Sequence, residues 1–293
     1  MERFVFLTLD GLARGTAYAA FALALVLIWR AARVVNFAQG AMAVACVYVA
    51  HSVTAATGSY WAGFGAAVAS GLVLGAAVDF CVMRLAAGTA SHLNSVIIAL
   101  GLVLIIQAVL GIAYGNEYLP TPAPFDRTAI TVGEFVLLSP FDLFVIGTVA
   151  AAVAALAWLF GRTPVGLRMR AGAFAPEVSR LLGVNVGGML TLGWALAAGL
   201  GAIAGMLVVP TELALHPHAM DLVFVASFTA AVIGGLDSPP GVVVGGLAVG
   251  LTLSYVSGYL GGDLSPLATL LLLLAVLLVR PEGLITRAKV RRV

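Results

Sequence analysis

Lysine is nearly absent from this chain. Fourteen of its 15 basic residues are arginine, and the single lysine, Lys289, stands in TRAKVRR with no glycine ahead of it. A phosphate loop needs G-x-x-x-x-G-K-[ST], so the chain cannot form that nucleotide site. Charge of either sign is scarce as well. Only 10% of the residues are charged, 62% are hydrophobic and the mean hydropathy is +1.10. An ordinary soluble domain is about 25% charged, so that class is excluded. There are two cysteines, Cys46 and Cys81, both in apolar runs. They read as two buried packing thiols rather than a disulfide or metal pair. No H-E-x-x-H, G-x-S-x-G or C-x-x-C occurs, which disfavours a membrane enzyme. His216 and His218 lie beside Glu212 and Asp221, and a solvated loop is the reading there, ahead of a metal site. No cofactor, metal or nucleic-acid partner is expected.

Apolar runs of about 20 residues, each enough to cross a bilayer core, are what the chain has in abundance. They predict an all-α, polytopic transmembrane bundle with spans near 11–29, 35–56, 61–82, 93–115, 138–160, 188–210, 222–236, 241–260 and 266–280. Alternating segments of about 10 residues, the mark of a barrel, are missing. Segment 222–236 is short for a crossing, so the count is eight or nine spans. The N-terminus does not read as a cleavable signal, because Glu2 and Asp10 balance its charge and Arg14 interrupts the apolar region. Four G-x-x-x-G pairs, Gly71–Gly75, Gly201–Gly205, Gly241–Gly245 and Gly246–Gly250, predict close helix crossings.

Placement of the basic residues gives an orientation. Arg30 and Arg33, then Arg84, then Arg162, Arg168, Arg170 and Arg180, then Arg280, Arg287, Lys289, Arg291 and Arg292 all follow odd-numbered spans or close the chain. The opposite loops contain only Arg127, with the acids Glu117, Asp126, Glu134, Glu212, Asp221 and Asp263. The basic side is expected to be cytoplasmic, which puts the N-terminus outside and the C-terminus inside. Arg3 and Arg14 do not fit that scheme.

Polar residues inside the spans narrow the function. Asp79 precedes Arg84 by five residues, which reads as a structural pair ahead of a proton pathway. Asn36 and Gln39 fall three apart on one helical face, and Asn94 and Gln107 sit in the fourth span. Amides are costly in hydrocarbon and must face the bundle interior or water. A path for a polar solute and simple interhelical bonding both fit Asn36 and Gln39; for Gln107 bonding is favoured. Asn36, Gln39 and Asn94 are taken as candidate path residues.

One short segment is charged where its surroundings are not. RMRAGAFAPEVSRLLGVNV, 168–186, carries three arginines and Glu177, the one acid between Asp142 and Glu212. Pro176 suits a first helical turn, Glu177 favours its positive end, and Gly183 can stop it with a left-handed turn. Pro176–Leu182 is therefore expected to be a short helix with Val178, Leu181, Leu182 and Asn185 along one face. An interfacial helix lying on lipid headgroups is the structural alternative.

EVSRLLG, Glu177 to Gly183, resembles the E-A-A-x-x-x-G loop of bacterial ABC-importer permeases, with Val178 and Ser179 where the family has its alanine pair. GLARGTAYAAFALALVLIW with VVNFAQGAM, then LLGVNVGGM with LAAGLGAIAGML, then FTAAVIGGLDSPPGVVVGGLAVG and LLVRPEGLI are similar to the branched-chain amino acid permeases. Where that family usually has His, Gly and an acid, this chain has Gln39, Gly40 and Ala41. The resemblance implies one transmembrane permease domain over 1–293, with a coupling segment at 161–187 that docks on a separate ATPase. Glu177, Ser179, Arg180 and Gly183 would carry that coupling. It further implies two ATPase subunits, a second permease (a paralogue or another copy), an external solute-binding protein and a place in the cell inner membrane. Leucine, isoleucine and valine are the first substrates to consider; urea, short amides or other amino acids are the alternatives. An ion-coupled secondary transporter and a channel-like subunit are the rival classes.

Overall fold

The computed structural model describes residues 2–84, 92–132, 135–136, 138–212, 214–280 and 283. Glu134, Arg287, Lys289, Arg291 and Arg292 fall outside the described residues. Among the described residues, eight helical segments are long and apolar enough to cross a membrane, and 221–234 is a shorter apolar helix of 14 residues. The multi-pass α-helical expectation holds: among the described residues eight helices are long enough to cross, and 221–234 is the short ninth segment.

The order is α1 (Glu2–Ala32), α2 (Gln39–Thr57), α3 (Tyr60–Val78) running on into a π-helical turn (Asp79–Met83), and α4 (His92–Tyr114). A two-stranded hairpin follows, β1 (Thr131–Val132) with β2 (Phe135–Val136). Then come α5 (Pro140–Arg162), α6 (Pro164–Phe174), α7 (Pro176–Leu181), α8 (Val186–Glu212), α9 (Asp221–Gly234) and α10 (Pro239–Tyr259). A 3₁₀ turn (Gly262–Leu264) leads into α11 (Ser265–Val279).

α1 and α8 form the centre. Residues 17–28 of α1 are buried on every side, which is how a helix without a polar face must sit. α1 packs chiefly on α10 and α8, and α8 chiefly on α3 and α1. The glycine pairs make these crossings. A Cβ on Gly71 would stand 2.8 Å from the Ala198 carbonyl oxygen, and one on Gly15 would stand 2.8 Å from that of Gly246. Gly75 meets Trp194, Gly205 meets Ala43 and Val47, and Gly245 meets Ala230. All four predicted pairs lie at helix contacts.

Three differences from the sequence reading have clear causes. α1 begins at Glu2, nine residues before the predicted span, because its polar start is satisfied within the fold. Arg14 Nε bonds Asp10 at 3.0 Å, and Arg3 donates to the Gly258 carbonyl and lies over the Tyr259 ring. This accounts for the two arginines that broke the charge pattern. The second span starts at Gln39 rather than 35, since 33–38 is irregular and Arg33 has φ +57°. Finally, Cys46 is buried as expected but Cys81 is exposed, because it lies on the outer side of the π turn.

Candidate functional site

The charged segment forms two short helices set at one end of the bundle. Thr163 caps α6 by accepting from the Gly166 N–H at 3.1 Å, and Pro164 takes the first turn. Ala175 is out of helical conformation (φ −139°, ψ 76°), and Pro176 restarts the helix as α7. α7 closes with a Schellman pair: the Val184 N–H donates to the Ser179 carbonyl at 2.9 Å and the Gly183 N–H to that of Arg180 at 3.0 Å. Gly183 has φ +81°, the left-handed value expected of it. Asn185 is not part of the α7 face; its side chain accepts from the Gly188 N–H at 2.9 Å and starts α8.

The faces of α7 are inverted relative to a core helix. Ser179 is buried, whereas Val178 (55%), Leu181 (88%) and Leu182 (78%) are exposed, as is Phe174 (93%) on α6. Glu177, Arg180 and Gly183 are also exposed. An exposed apolar cluster rimmed by charge marks a surface for another protein or for lipid.

A polar clamp joins this segment to the bundle. Asp79, fully buried, accepts from Arg84 Nε at 3.1 Å and from Thr191 Oγ1 at 2.6 Å, both on Oδ2. Arg84 also donates to the Gly187 carbonyl at 2.6 Å and to Thr191. The π turn at 79–83 places Asp79 and Arg84 together, and Arg84 closes back on the first turn of α8. Asp79 is thus a paired structural acid, as its spacing implied. Asp79 Oδ1 is buried without a partner among the described residues. Thr191 gave a usable signal, a lone hydroxyl in GGMLTLGWA, that the sequence reading passed over.

The amides lie further along α8, at Ala197 rather than Thr191. Asn36 Oδ1 accepts from the Ala38 N–H at 3.0 Å, and its amide donates to Gln39 Oε1 at 2.9 Å. Gln39 Nε2 donates to the Ala197 carbonyl on α8 at 2.9 Å. Both side chains are fully buried. Asn94, at the start of α4, is exposed and apart from them. Gln107 bonds Asp221 Oδ1 at 3.0 Å across to α9, the bonding role favoured for it.

Arg30, Arg33, Arg84, Arg170, Arg180 and Asp79 border one vestibule of about 630 Å³ at the α6–α7 end. Five of the basic groups assigned to one side by the sequence, Arg30, Arg33, Arg84, Arg170 and Arg180, therefore share one end of the bundle. At the other end, residues of 116–132 meet those of 214–221. Leu119 and Leu215 form a backbone bridge, Tyr118 packs on His216 at 4.7 Å, and Arg127 donates to the Pro210 carbonyl. His218 binds Asp221 at 3.0 Å, and no three His, Cys, Asp or Glu side chains converge among the described residues.

Residues 7–280 match the family model described as the permease component of the branched-chain amino acid transport system. The chain belongs to that permease family. Among its relatives, the high-affinity branched-chain amino acid transport system permease protein LivH of Escherichia coli K12 is 25% identical over 97% of this chain and 96% of its own length. BraD of Pseudomonas aeruginosa, named likewise, is 26% identical over 97% and 96%. A probable LivH of Methanocaldococcus jannaschii is 27% identical over 90% and 86%. The solved structure of PsaBC from Streptococcus pneumoniae in complex with Fab shares the fold, with a TM-score of 0.52 over 93% of this chain and 91% of that one at 13% identity. The permease is thus a transport subunit with a multi-pass bundle, and its α6–α7 surface and buried amides are the places where partner and solute can be sought.

Proposed function

We propose that this permease is the membrane subunit of an ATP-driven importer that moves branched-chain amino acids into the cell. The exposed apolar face of α7, closed by Gly183 and tied through α8 to the Asp79–Arg84 clamp, is the observation that supports it. The chain has no phosphate-loop lysine, so energy must arrive by contact. In this reading two ATPase subunits dock on Phe174, Val178, Leu181 and Leu182, with Glu177 and Arg180 at the rim. Ser179, buried under α7, seats that helix on the bundle, and Gly183 permits both the turn and close approach. The α6–α7 end faces the cytoplasm, in keeping with the arginines there, and the C-terminus lies on that side, the N-terminus outside. A second permease, a paralogue or another copy, completes the channel, and an external binding protein delivers solute to the opposite loops.

Asn36 and Gln39 border the solute path in this proposal. They pin the irregular 33–38 turn against α8, so movement of α8 moves the turn; Asn94 stands apart from them, exposed at the start of α4 next to Ser95, which lines the vestibule. The test is uptake by proteoliposomes holding the permease with its ATPase and binding protein. Labelled leucine, isoleucine and valine are expected to enter only with ATP, ahead of urea, acetamide and alanine. Uptake without ATP, or preference for the amides, would overturn the assignment. Gln39→Leu should lower uptake in an assembled complex; unchanged kinetics would leave the amides to packing alone.

A further inference from the structure

Arg30 and its neighbours Leu27 and Phe160 line two cavities at once. The first is the basic vestibule. The second is a groove of about 530 Å³ between α1, α5 and α10, lined by Leu23, Val26, Val153, Leu156, Ala157 and Val243 among others. Among the described residues, Arg30 is the one charged residue in the groove's lining. The two spaces therefore meet at a guanidinium, one side cationic and the other hydrocarbon-like.

The cationic side carries an excess of charge. The charges acting on Arg30 are those of Asp237, Arg170 and Arg33. Asp237 is already taken, since Arg33 Nη1 binds it at 2.6 Å. Asp79, the vestibule's own acid, is taken by Arg84. Arg30 makes no ion pair among the described residues; its guanidinium lies 5.7 Å over the Phe160 ring. Arg170 and Arg180, both exposed, add to the same wall. An anion is the complement of this arrangement. Basic pockets between transmembrane helices are headgroup sites, and the anionic lipids of the cytoplasmic leaflet attract such residues. Depth agrees, because Trp29 and Arg30 end the apolar stretch of α1, where aromatic and basic residues mark the headgroup level.

We infer that this crevice holds one anionic phospholipid, its phosphate between Arg30 and Arg170 and an acyl chain along the groove between α1 and α5. A soluble anion would satisfy the arginines but leave the apolar groove without a role. The inference does not depend on the transported solute. It does place a lipid phosphate in the vestibule that Arg180, on the proposed coupling segment, also lines.

Native mass spectrometry of the delipidated full chain in detergent tests this, with dioleoyl phosphatidylglycerol, dioleoyl phosphatidylcholine and inorganic phosphate as probes. Phosphatidylglycerol is expected to bind at least tenfold more tightly than phosphatidylcholine, and millimolar phosphate should not displace it. Arg30→Gln should weaken it roughly fivefold, and Arg30→Gln with Arg170→Gln more than tenfold. Arg168→Gln removes a charge from the same helix outside the vestibule and should change affinity by less than twofold. Ala157 is exposed at the groove, so Ala157→Trp fills it without touching the core and should also weaken binding. Equal binding of both lipids, or equal loss in Arg168→Gln, would overturn the site in favour of general surface charge. Displacement by phosphate, or no effect of Ala157→Trp, would overturn it in favour of a soluble-anion site. A dimer that excludes phosphatidylglycerol would overturn it in favour of a second copy covering the groove. If Arg30→Gln fails to fold, Ala157→Trp and the phosphate competition still decide.

Discussion

Thr191 Oγ1 donates to Asp79 Oδ2 at 2.6 Å, and the two residues are 112 positions apart. This bond ties the second turn of α8, just after the proposed coupling segment, to the π turn that ends α3. Arg84 completes the joint from the other side of the carboxylate. In the proposed coupling, a push on α7 reaches α8 and α3 together.

The clamp should be asymmetric in its energetics. Arg84→Gln leaves a fully buried carboxylate without its cation; removing one partner of a buried pair costs about 3–5 kcal/mol. Arg84 is about a third exposed, so roughly 2–3 kcal/mol is expected after solvent screening. Asp79→Asn removes the charge and keeps a polar group, and should cost about 1 kcal/mol. The double variant should recover most of the loss of Arg84→Gln. Thermal unfolding in detergent measures all three, and equal shifts for the two single variants would show that the pair carries no such asymmetry.

Gly183 separates backbone strain from docking. Nothing lies within 4 Å of a Cβ added there, so the cost within the chain is the left-handed conformation alone, about 1–2 kcal/mol. Gly183→Ala should therefore lower the unfolding temperature slightly and retain transport. Gly183→Arg should fold and insert equally well, yet fail to transport or to stimulate ATP hydrolysis. Glu177→Lys should be milder, at about 0.3–1 kcal/mol for a charge at a helix start. Wild-type transport by Gly183→Arg in an assembled complex would refute the coupling role.

The glycine contacts rank themselves by available space. Gly15 lies on Gly246 and Leu247, with both the carbonyl oxygen and the Cα 2.8 Å from a would-be Cβ. These are backbone atoms, so Gly15→Ala must separate α1 from α10 and should cost about 1–3 kcal/mol. Gly65, on α3, meets nothing within 4 Å. Gly65→Ala should be neutral or stabilising by roughly 0.5–1 kcal/mol. Loss of stability in both would mean that helix crossing is not the cause.

His216 provides a pH test on the opposite loops. Partial desolvation, then the neighbouring His218, holds its pKa below the usual histidine value, against an opposing pull from Asp221. A histidine with a lowered folded pKa stabilises the fold fully above about 6.5 and loses that contribution as pH falls through its folded value. The unfolding temperature should therefore drop more between pH 8 and pH 5 in the wild type than in His216→Gln. Identical drops would place the acid sensitivity elsewhere.

Much of this architecture is legible in the sequence because lipid enforces it. Each apolar run must satisfy its backbone internally, so Tyr60–Val78 or Pro239–Tyr259 can be found by length alone. Gly183 and Pro176 were legible for a local reason, since turn and first-turn chemistry depend on the residues themselves. The π turn was not, because nothing in DFCVM departs from an α-helical pattern; tertiary bonds from Arg84 to Gly187 and Thr191 decide it. The separate helix α6 was missed because its mixed residues carry no strong period, and Thr163 and Pro164, which start it, look like a simple loop. The burial of Asn36 and Gln39 depends on Ala197, 158 residues beyond Gln39, and only the fold brings that carbonyl to them.

The central place of α1 has a consequence for biosynthesis. Its main partner, α10, starts at Pro239, some two hundred residues after α1 ends at Ala32. At about 5–20 residues per second, the ribosome needs roughly 10–40 s to make that stretch. α1 therefore waits in the membrane with Gly11 and Gly15 bare, until α8 and α10 arrive to enclose it. The most enclosed helix is thus made before the helices that cover it. A nascent chain truncated before 239 should expose to its surroundings the very helix that the finished protein hides most completely.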